Sequence, residues 1–286
     1  MPAATAGSVR EALEAATDAI TAAGAPSPRL DAELLLADAC GLERAALAAA
    51  PERAVDATQA RRFGGMVRRR VAREPVAYIL GRKGFRHIEL AVDARVLVPR
   101  PETELLVELA LELRPRSVLD VGTGSGAIAL AVKDELEDVS VMGVDTSVAA
   151  IEVARSNAEE LGLDVDLRWL DPESGHSRVE RPVNGRWDLL VANLPYVSEA
   201  EWSSLAPEIV RWEPRGALVS GPTGLEAIER LLADVALGEG GIEVVGLEVG
   251  AGQAEAVAEL VRRAGFERTE TRKDLAGIER VVVGLP

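Results

Sequence analysis

The stretch Val118-Leu119-Asp120-Val121-Gly122-Thr123-Gly124-Ser125-Gly126 decides the fold. Four residues of strand character run into three glycines spaced G-x-G-x-G, and a helical pattern begins at Ala127. Glycines there let the chain turn sharply and let a ligand approach without meeting a Cβ, while the helix that follows points unpaired N–H groups at the ligand. A nucleotide-like cofactor is expected. Ala127 stands where the dinucleotide fingerprint G-x-G-x-x-G would carry its third glycine, which weakens an NAD reading. Asp120, a carboxylate beside the loop, suits a cofactor with an ammonium group and would repel a pyrophosphate.

Outward from this loop the pattern alternates. Strand signals at 118–121, 139–144, 165–170, 188–192 and 242–249 alternate with helices at 127–136 and 147–161, the second capped by Ser147 and closed by Gly162. Such alternation implies a mostly parallel sheet with helices on both faces. Phe266–Thr271 and Glu279–Val283 read as two final antiparallel strands. Asp145 closes the second strand about 20 residues past the loop, where an acid accepts hydrogen bonds from ribose hydroxyls. Asp171 follows the third strand, where a carboxylate faces an adenine edge or serves only as a loop acid.

The fourth strand, Asp188 to Ala192, runs directly into Asn193-Leu194-Pro195-Tyr196. In this architecture ligands bind outside the carboxyl ends of the strands, so the tetrapeptide faces the cofactor. An amide or exocyclic amino nitrogen is planar and weakly nucleophilic, because its lone pair is delocalised. Two acceptors, the Asn193 side-chain oxygen and the Leu194 backbone carbonyl, would grip its two N–H bonds and align the nitrogen with an electrophilic methyl group. Tyr196 would stack on the flat group and Pro195 would stiffen the turn. An amide and an adenine amino group satisfy this chemistry equally.

The first 80 residues differ in texture. They are rich in Ala, Leu, Glu and Arg at helical spacing, as in Leu30, Leu34, Leu35 and Ala37, with breaks at 24–28 and near Pro51. A small helical domain is expected over 1–80, a β-hairpin linker over 81–100 and the α/β domain over 101–286, whose first helix starts at Pro101.

Charge and composition narrow the partners. A net charge of −15 over 286 residues disfavours a partner held mainly by phosphate contacts. The one local basic strip is Arg61, Arg62, Arg68, Arg69, Arg70 and Arg73, read equally as a solvated helix face. The single cysteine, Cys40, excludes an intrachain disulfide and reads as a small buried residue; with His87 and His176 far apart, no metal site is expected. Without a leader-like start or an apolar run approaching ~18 residues, a cytoplasmic protein with no membrane segment is expected.

Several longer segments carry a resemblance. They are Pro75–Gly81 (P-V-A-Y-I-L-G), Val96–Glu104 (V-L-V-P-R-P-E-T-E), the glycine loop, Asn193–Tyr196, Glu213–Leu218 (E-P-R-G-A-L) with Gly224-Leu225, and Lys273–Gly277 with Arg280-Val281. Over 74–284 the chain resembles the bacterial peptide chain release factor glutamine N5-methyltransferases, the PrmC/HemK-like family. The resemblance implies a seven-stranded, Rossmann-like class I methyltransferase domain behind a small all-α N-terminal domain. It implies S-adenosylmethionine bound by Gly122, Thr123, Gly124, Ser125, Gly126, Asp145, Asp171 and Asn193. It further implies a substrate glutamine, in the Gly-Gly-Gln motif of a release factor, held at Asn193 to Tyr196, with the helical domain helping to hold that factor. Two positions depart from the family pattern. Leu194 stands where the family usually has proline, which makes N-L-P-Y similar also to ribosomal RNA adenine dimethylases, and Pro172 stands where an aromatic residue often follows the acid. The alternatives are glutamine methylation of a ribosomal protein, N6-adenine methylation of RNA or DNA, and an NAD-dependent oxidoreductase.

Overall fold

The computed structural model describes residues 7–171, 186–236 and 241–286; Pro172 and His176 lie outside them. The chain divides into two compact units, one of residues 1–81 and 206–212, the other of 82–205 and 213–286.

In the smaller unit, α1 (Val9–Ala22) and α4 (Ala57–Val71) each open on a reciprocal capping box, Ser8 with Glu11 and Asp56 with Gln59. α2 (Pro28–Cys40) begins on proline and ends where Gly41 adopts a left-handed conformation, and α3 (Arg44–Ala49) and α5 (Val76–Leu80) are short. Leu13, Ile20, Leu35, Leu36, Leu47 and Phe63 form its core. Of the expected apolar stripe, Leu35 and Ala37 are buried while Leu30 faces solvent. Cys40 is half-buried against this core rather than fully inside it.

The larger unit starts with the antiparallel hairpin β1 (Arg82–Phe85) and β2 (Ile88–Ala91), so the expected linker is part of this unit. After the 3₁₀ turn Pro101–Thr103 come α6 (Glu104–Leu113), β3 (Ser117–Val121), α7 (Ala127–Glu135), β4 (Ser140–Asp145), α8 (Val148–Leu161), β5 (Asp166–Trp169) and β6 (Trp187–Ala192). The six-residue α9 (Pro207–Trp212) belongs by its contacts to the smaller unit, and α10 (Glu226–Ala236), β7 (Ile242–Glu248), α11 (Ala254–Arg263), β8 (Arg268–Lys273) and β9 (Glu279–Leu285) complete the larger one.

The seven strands lie in the order β5-β4-β3-β6-β7-β9-β8, with β9 antiparallel to both neighbours. The chain builds outward from β3 to β5, then returns to lay β6 on the other side of β3, so the order reverses between β3 and β6. Carboxyl ends at such a reversal open a crevice. The register makes that crevice exact in level: Val121 pairs with Val144 and with Ala192, and Ala192 pairs with Leu247. The next residue of each strand therefore stands in one row, Asp145, Gly122, Asn193 and Glu248. Central β3 is buried along its whole length, whereas edge strand β8 is polar and charged, which guards an open edge.

The basic strip of the smaller unit is divided: Arg61, Arg62, Arg68 and Arg69 are exposed, while Arg70 and Arg73 enter an ion-pair cluster. Arg70, 3% exposed, binds Asp31 and the α9 carboxylate Glu208; Arg73 binds Glu208 through two nitrogens and the carbonyls of Ala23 and Gly24. Arg69 pairs with Glu74 and Arg62 with Asp38. Burial raises the pKa of Glu208, but the two guanidiniums outweigh it and bring it down to about 2.

Candidate active site

The glycine loop folds back on β4, with the amides of Gly122 and Thr123 both donating to the Val144 carbonyl. Gly122 has φ +78°, and a Cβ there would come within 3.0 Å of Leu194 Cδ2. Loop and tetrapeptide thus touch through a position that only glycine fits. Leu194 is buried in this contact, its side chain joined to the sheet core, which leaves only its backbone to serve a ligand. Gly126 closes the loop as the left-handed cap of α7 and faces Leu130 and Ala154, away from the crevice.

Asp120 does not reach the crevice either. It is fully buried, and its Oδ2 accepts from Thr123 Oγ1 at 2.7 Å and the Ala129 amide at 3.2 Å, strapping the loop to α7. Its Oδ1 has no partner, and burial pushes its pKa up to about 7. The carboxylate expected beside the cofactor's ammonium is therefore a strut of the loop. Asp145 does line the crevice. Its Oδ2 accepts from the Gly124 amide and its Oδ1 from the Ser147 amide, while burial raises its pKa against those bonds.

Asn193 donates through Nδ2 to Thr103 Oγ1 at 3.0 Å, and Thr103 Oγ1 donates to Glu248 Oε2 at 2.6 Å. The Tyr196 hydroxyl donates to the other oxygen, Oε1, over a longer 3.4 Å. Tyr196 lies outside the crevice lining, because its ring turns toward Glu248 and Gly250. Burial, together with the Glu248 charge, pushes the Tyr196 pKa up to about 12, so it stays a donor. The turn is pinned from behind by Gln253, whose Nε2 donates to the Tyr196 carbonyl at 2.9 Å. Gly224, at φ +83°, lies so close that a Cβ would stand 2.5 Å from that carbonyl.

Glu213 joins two segments far apart in sequence, accepting from the Val98 amide and from the Arg100 guanidinium. Asn157 on α8 exchanges hydrogen bonds with the Ala91 backbone and donates to the Ser125 carbonyl, tying hairpin, helix and loop together. Sequence reading passed over Thr103, Glu213, Glu248, Asn157 and Gln253 as individual residues. Glu248 did carry a signal, since an acid ends β7 as Asp145 ends β4.

These elements enclose a crevice of about 340 Å³, within the range of small-molecule sites. Its lining includes Gly122, Thr123, Gly124, Ser125 and Asp145, then Asn193, Leu194 and Pro195, and also Val96, Pro99, Arg100 and Thr103. Asp171 is exposed, because β5 ends at Trp169 and Leu170 is the residue that turns into the crevice. A tight glycine loop, a helix N-terminus, a rim carboxylate and the apolar Leu170 and Ile128 fit a nucleoside carrying a polar tail. Among the described residues no cluster of three or more His, Cys, Asp or Glu is placed to hold a metal ion, and no helix is long and apolar enough to cross a membrane.

The chain is similar to known proteins along its length. The family model described as the PrmC N-terminal domain matches residues 11–81, and the one described as the methyltransferase small domain matches residues 101–221. Among solved structures, a human Mettl16 catalytic domain in complex with an RNA hairpin superposes with a TM-score of 0.55 at 14% identity, covering 68% of this chain and 75% of that one. A methyltransferase from Pyrococcus furiosus gives 0.50 at 17% identity, covering 68% and 87%. At such identities they share the fold alone. Release factor glutamine methyltransferases from Rhodopirellula baltica and Caulobacter vibrioides are 40% and 39% identical, each alignment covering 96% of this chain and 95% of the relative. That of Bordetella pertussis is 41% identical, covering 90% and 94%. With similarity running through both units, the chain is an S-adenosylmethionine-dependent methyltransferase and belongs to the release factor glutamine methyltransferase family.

Proposed function

We propose that this chain methylates the side-chain amide nitrogen of the glutamine in the Gly-Gly-Gln motif of a peptide chain release factor. The observation that carries the reading is the shared level of Gly122 and Asn193 at the sheet reversal, which sets the planar-nitrogen grip beside the cofactor loop. Bound S-adenosylmethionine supplies an electrophilic methyl group there. Gly122, Thr123, Gly124 and Ser125 present loop atoms to the cofactor's polar tail, and Asp145 accepts from its ribose hydroxyls.

The Asn193 side-chain oxygen and the Leu194 carbonyl accept the two N–H bonds of the glutamine amide. That grip orients the nitrogen toward the methyl group and favours charge leaving through the protons, so positioning supplies most of the rate. Pro195 stiffens the turn, and Tyr196 braces Glu248 from outside the crevice. The helical unit helps hold the release factor. Its Arg70 and Arg73 are held by Asp31 and Glu208, which leaves less of the basic strip to an RNA or DNA substrate. Release factors act on translating ribosomes, which assigns the reaction to the cytoplasm.

The test incubates the chain with labelled S-adenosylmethionine and release factor, intact or with its Gly-Gly-Gln glutamine replaced by alanine. Label is expected on the intact factor only. Equal label on both factors, or label only on RNA or on a ribosomal protein, overturns the reading.

A further inference from the structure

An asparagine amide is nearly symmetric in shape, yet only one end of Asn193 can serve the proposed reaction. The oxygen accepts a substrate N–H, whereas the flipped amide would set its own N–H groups against those of the substrate. Something must decide which end faces the crevice.

We infer that Glu248 and Thr103 form a positioning relay that holds the Asn193 oxygen toward the substrate; the inference rests on the methyl-transfer reading above. Thr103 Oγ1 has one hydrogen to give and lone pairs to accept with. A carboxylate accepts only, so at 2.6 Å the Thr103 hydrogen goes to Glu248 Oε2. Thr103 can then only accept from Asn193, and the 3.0 Å contact commits the asparagine nitrogen, leaving the oxygen free. The Tyr196 hydroxyl donates to Glu248 Oε1, so both carboxylate oxygens are met by donors and the direction of the chain is set. Glu248 is 2% exposed and stands beside Asn193 in the row fixed by the β6–β7 register, so neither end can drift. A protonated Glu248 could donate to Thr103 and reverse the chain.

The charged and titratable groups that bear on Glu248 are Glu102 before α6, Tyr196 after β6 and Arg280 on β9, whose guanidinium is itself bonded to Asp274. Burial raises the Glu248 pKa, the Thr103 bond opposes it, Glu102 adds to it, and the balance is about 7. The relay is accordingly sensitive to acid near neutrality.

Thr103→Val keeps the shape and removes the hydroxyl, Thr103→Ser keeps the hydroxyl, and Glu248→Gln removes the charge. In the full chain with release factor, Thr103→Val should lower kcat about tenfold or more, with the dissociation constant for S-adenosylmethionine by calorimetry within about twofold of the parent. Thr103→Ser should recover most of kcat. The parent should lose kcat as pH falls through about 7, and Glu248→Gln should lose that acid limb. A Thr103→Val enzyme with parental kcat, one that also loses S-adenosylmethionine binding, or an acid limb unchanged in Glu248→Gln overturns the relay. Exchange of the Asn193 Nδ2 hydrogens, followed by NMR without substrate, is the independent arm. It should quicken at least several-fold in Thr103→Val, and unchanged exchange refutes the relay. Absence of transfer by the parent chain to release factor refutes the methyl-transfer reading instead and leaves this arm standing.

Discussion

The two units each bury a polar cluster, and the clusters are built on opposite rules. In the helical unit Glu208 meets Arg70 and Arg73 directly, Asp31 balances the surplus charge, and the Glu208 pKa falls to about 2. In the α/β unit Glu248 takes hydrogen bonds from two hydroxyls, Thr103 and Tyr196, and its pKa rises to about 7. Charge answered by charge gives a lock that does not titrate in the working range. Charge answered by hydroxyls gives a group poised near neutrality, as functional sites favour.

The comparison breaks hardest at Arg70. Replacing it with methionine keeps much of the bulk but leaves Asp31 and part of Glu208 buried without their partner, which should cost about 3–5 kcal/mol in denaturant unfolding of the helical unit. A loss under about 1 kcal/mol would show that the lock is not a lock. Asn193→Ala should lower methyl transfer by about 100-fold or more, equivalent to about 2.7 kcal/mol of barrier, with cofactor binding retained in calorimetry. Transfer surviving within a few-fold would remove the gripping role from that side chain.

Two pH effects of opposite sign come next. The folded-state pKa of Glu208 lies below its ordinary value of 4.5, so its contribution is complete above about 4.5 and is lost as pH falls toward about 2. It should amount to about 2 kcal/mol after allowance for partial solvent access, read as a difference in acid unfolding between the parent and Glu208→Gln. Asp120 and Glu248 have folded pKa values raised to about 7. Their contribution is complete below their ordinary values and is lost as pH rises through about 7. Melting of the ligand-free chain followed from pH 5 to 8 should therefore decline less in Asp120→Asn and in Glu248→Gln, by roughly 1 kcal/mol each. An unchanged slope in both would contradict the environments described for these two acids.

Much of the site was legible because its grammar is local. Glycines at 122, 124 and 126 announce a turn with left-handed residues, and all three have positive φ. An acid ending a strand marks Asp145, and a strand running into Asn193-Leu194-Pro195-Tyr196 marks the rim. Single positions within that grammar were less legible. Asp120 lies in the loop motif yet points inward, because the residue before a buried strand's last position has no route to the crevice. Asp171 follows β5 rather than ending it: Trp169 is the residue level with Asp145, and Asp171 lies two residues further on and is exposed. Helices α9, α10 and α11 fall where no motif drew attention, although α10 and α11 carry clear apolar stripes, Ile228, Leu231 and Leu232 in one and Val257, Ala258 and Val261 in the other.

By itself the sequence determined the class of sheet and marked the glycine loop and the strand end on which the proposed planar-nitrogen grip rests, because strand period, turn residues and strand-end chemistry act over a few neighbouring residues. Only the tertiary structure decided that β6 returns between β3 and β7, so that Glu248 stands beside Asn193 although 54 residues separate them in the chain, and Thr103 lies between them. It likewise decided that Arg70 of α4 and Arg73 just beyond it meet Asp31 and Glu208 rather than water. Pairing register and ion-pair partners come from which elements the fold brings together, and no short window of residues holds that information.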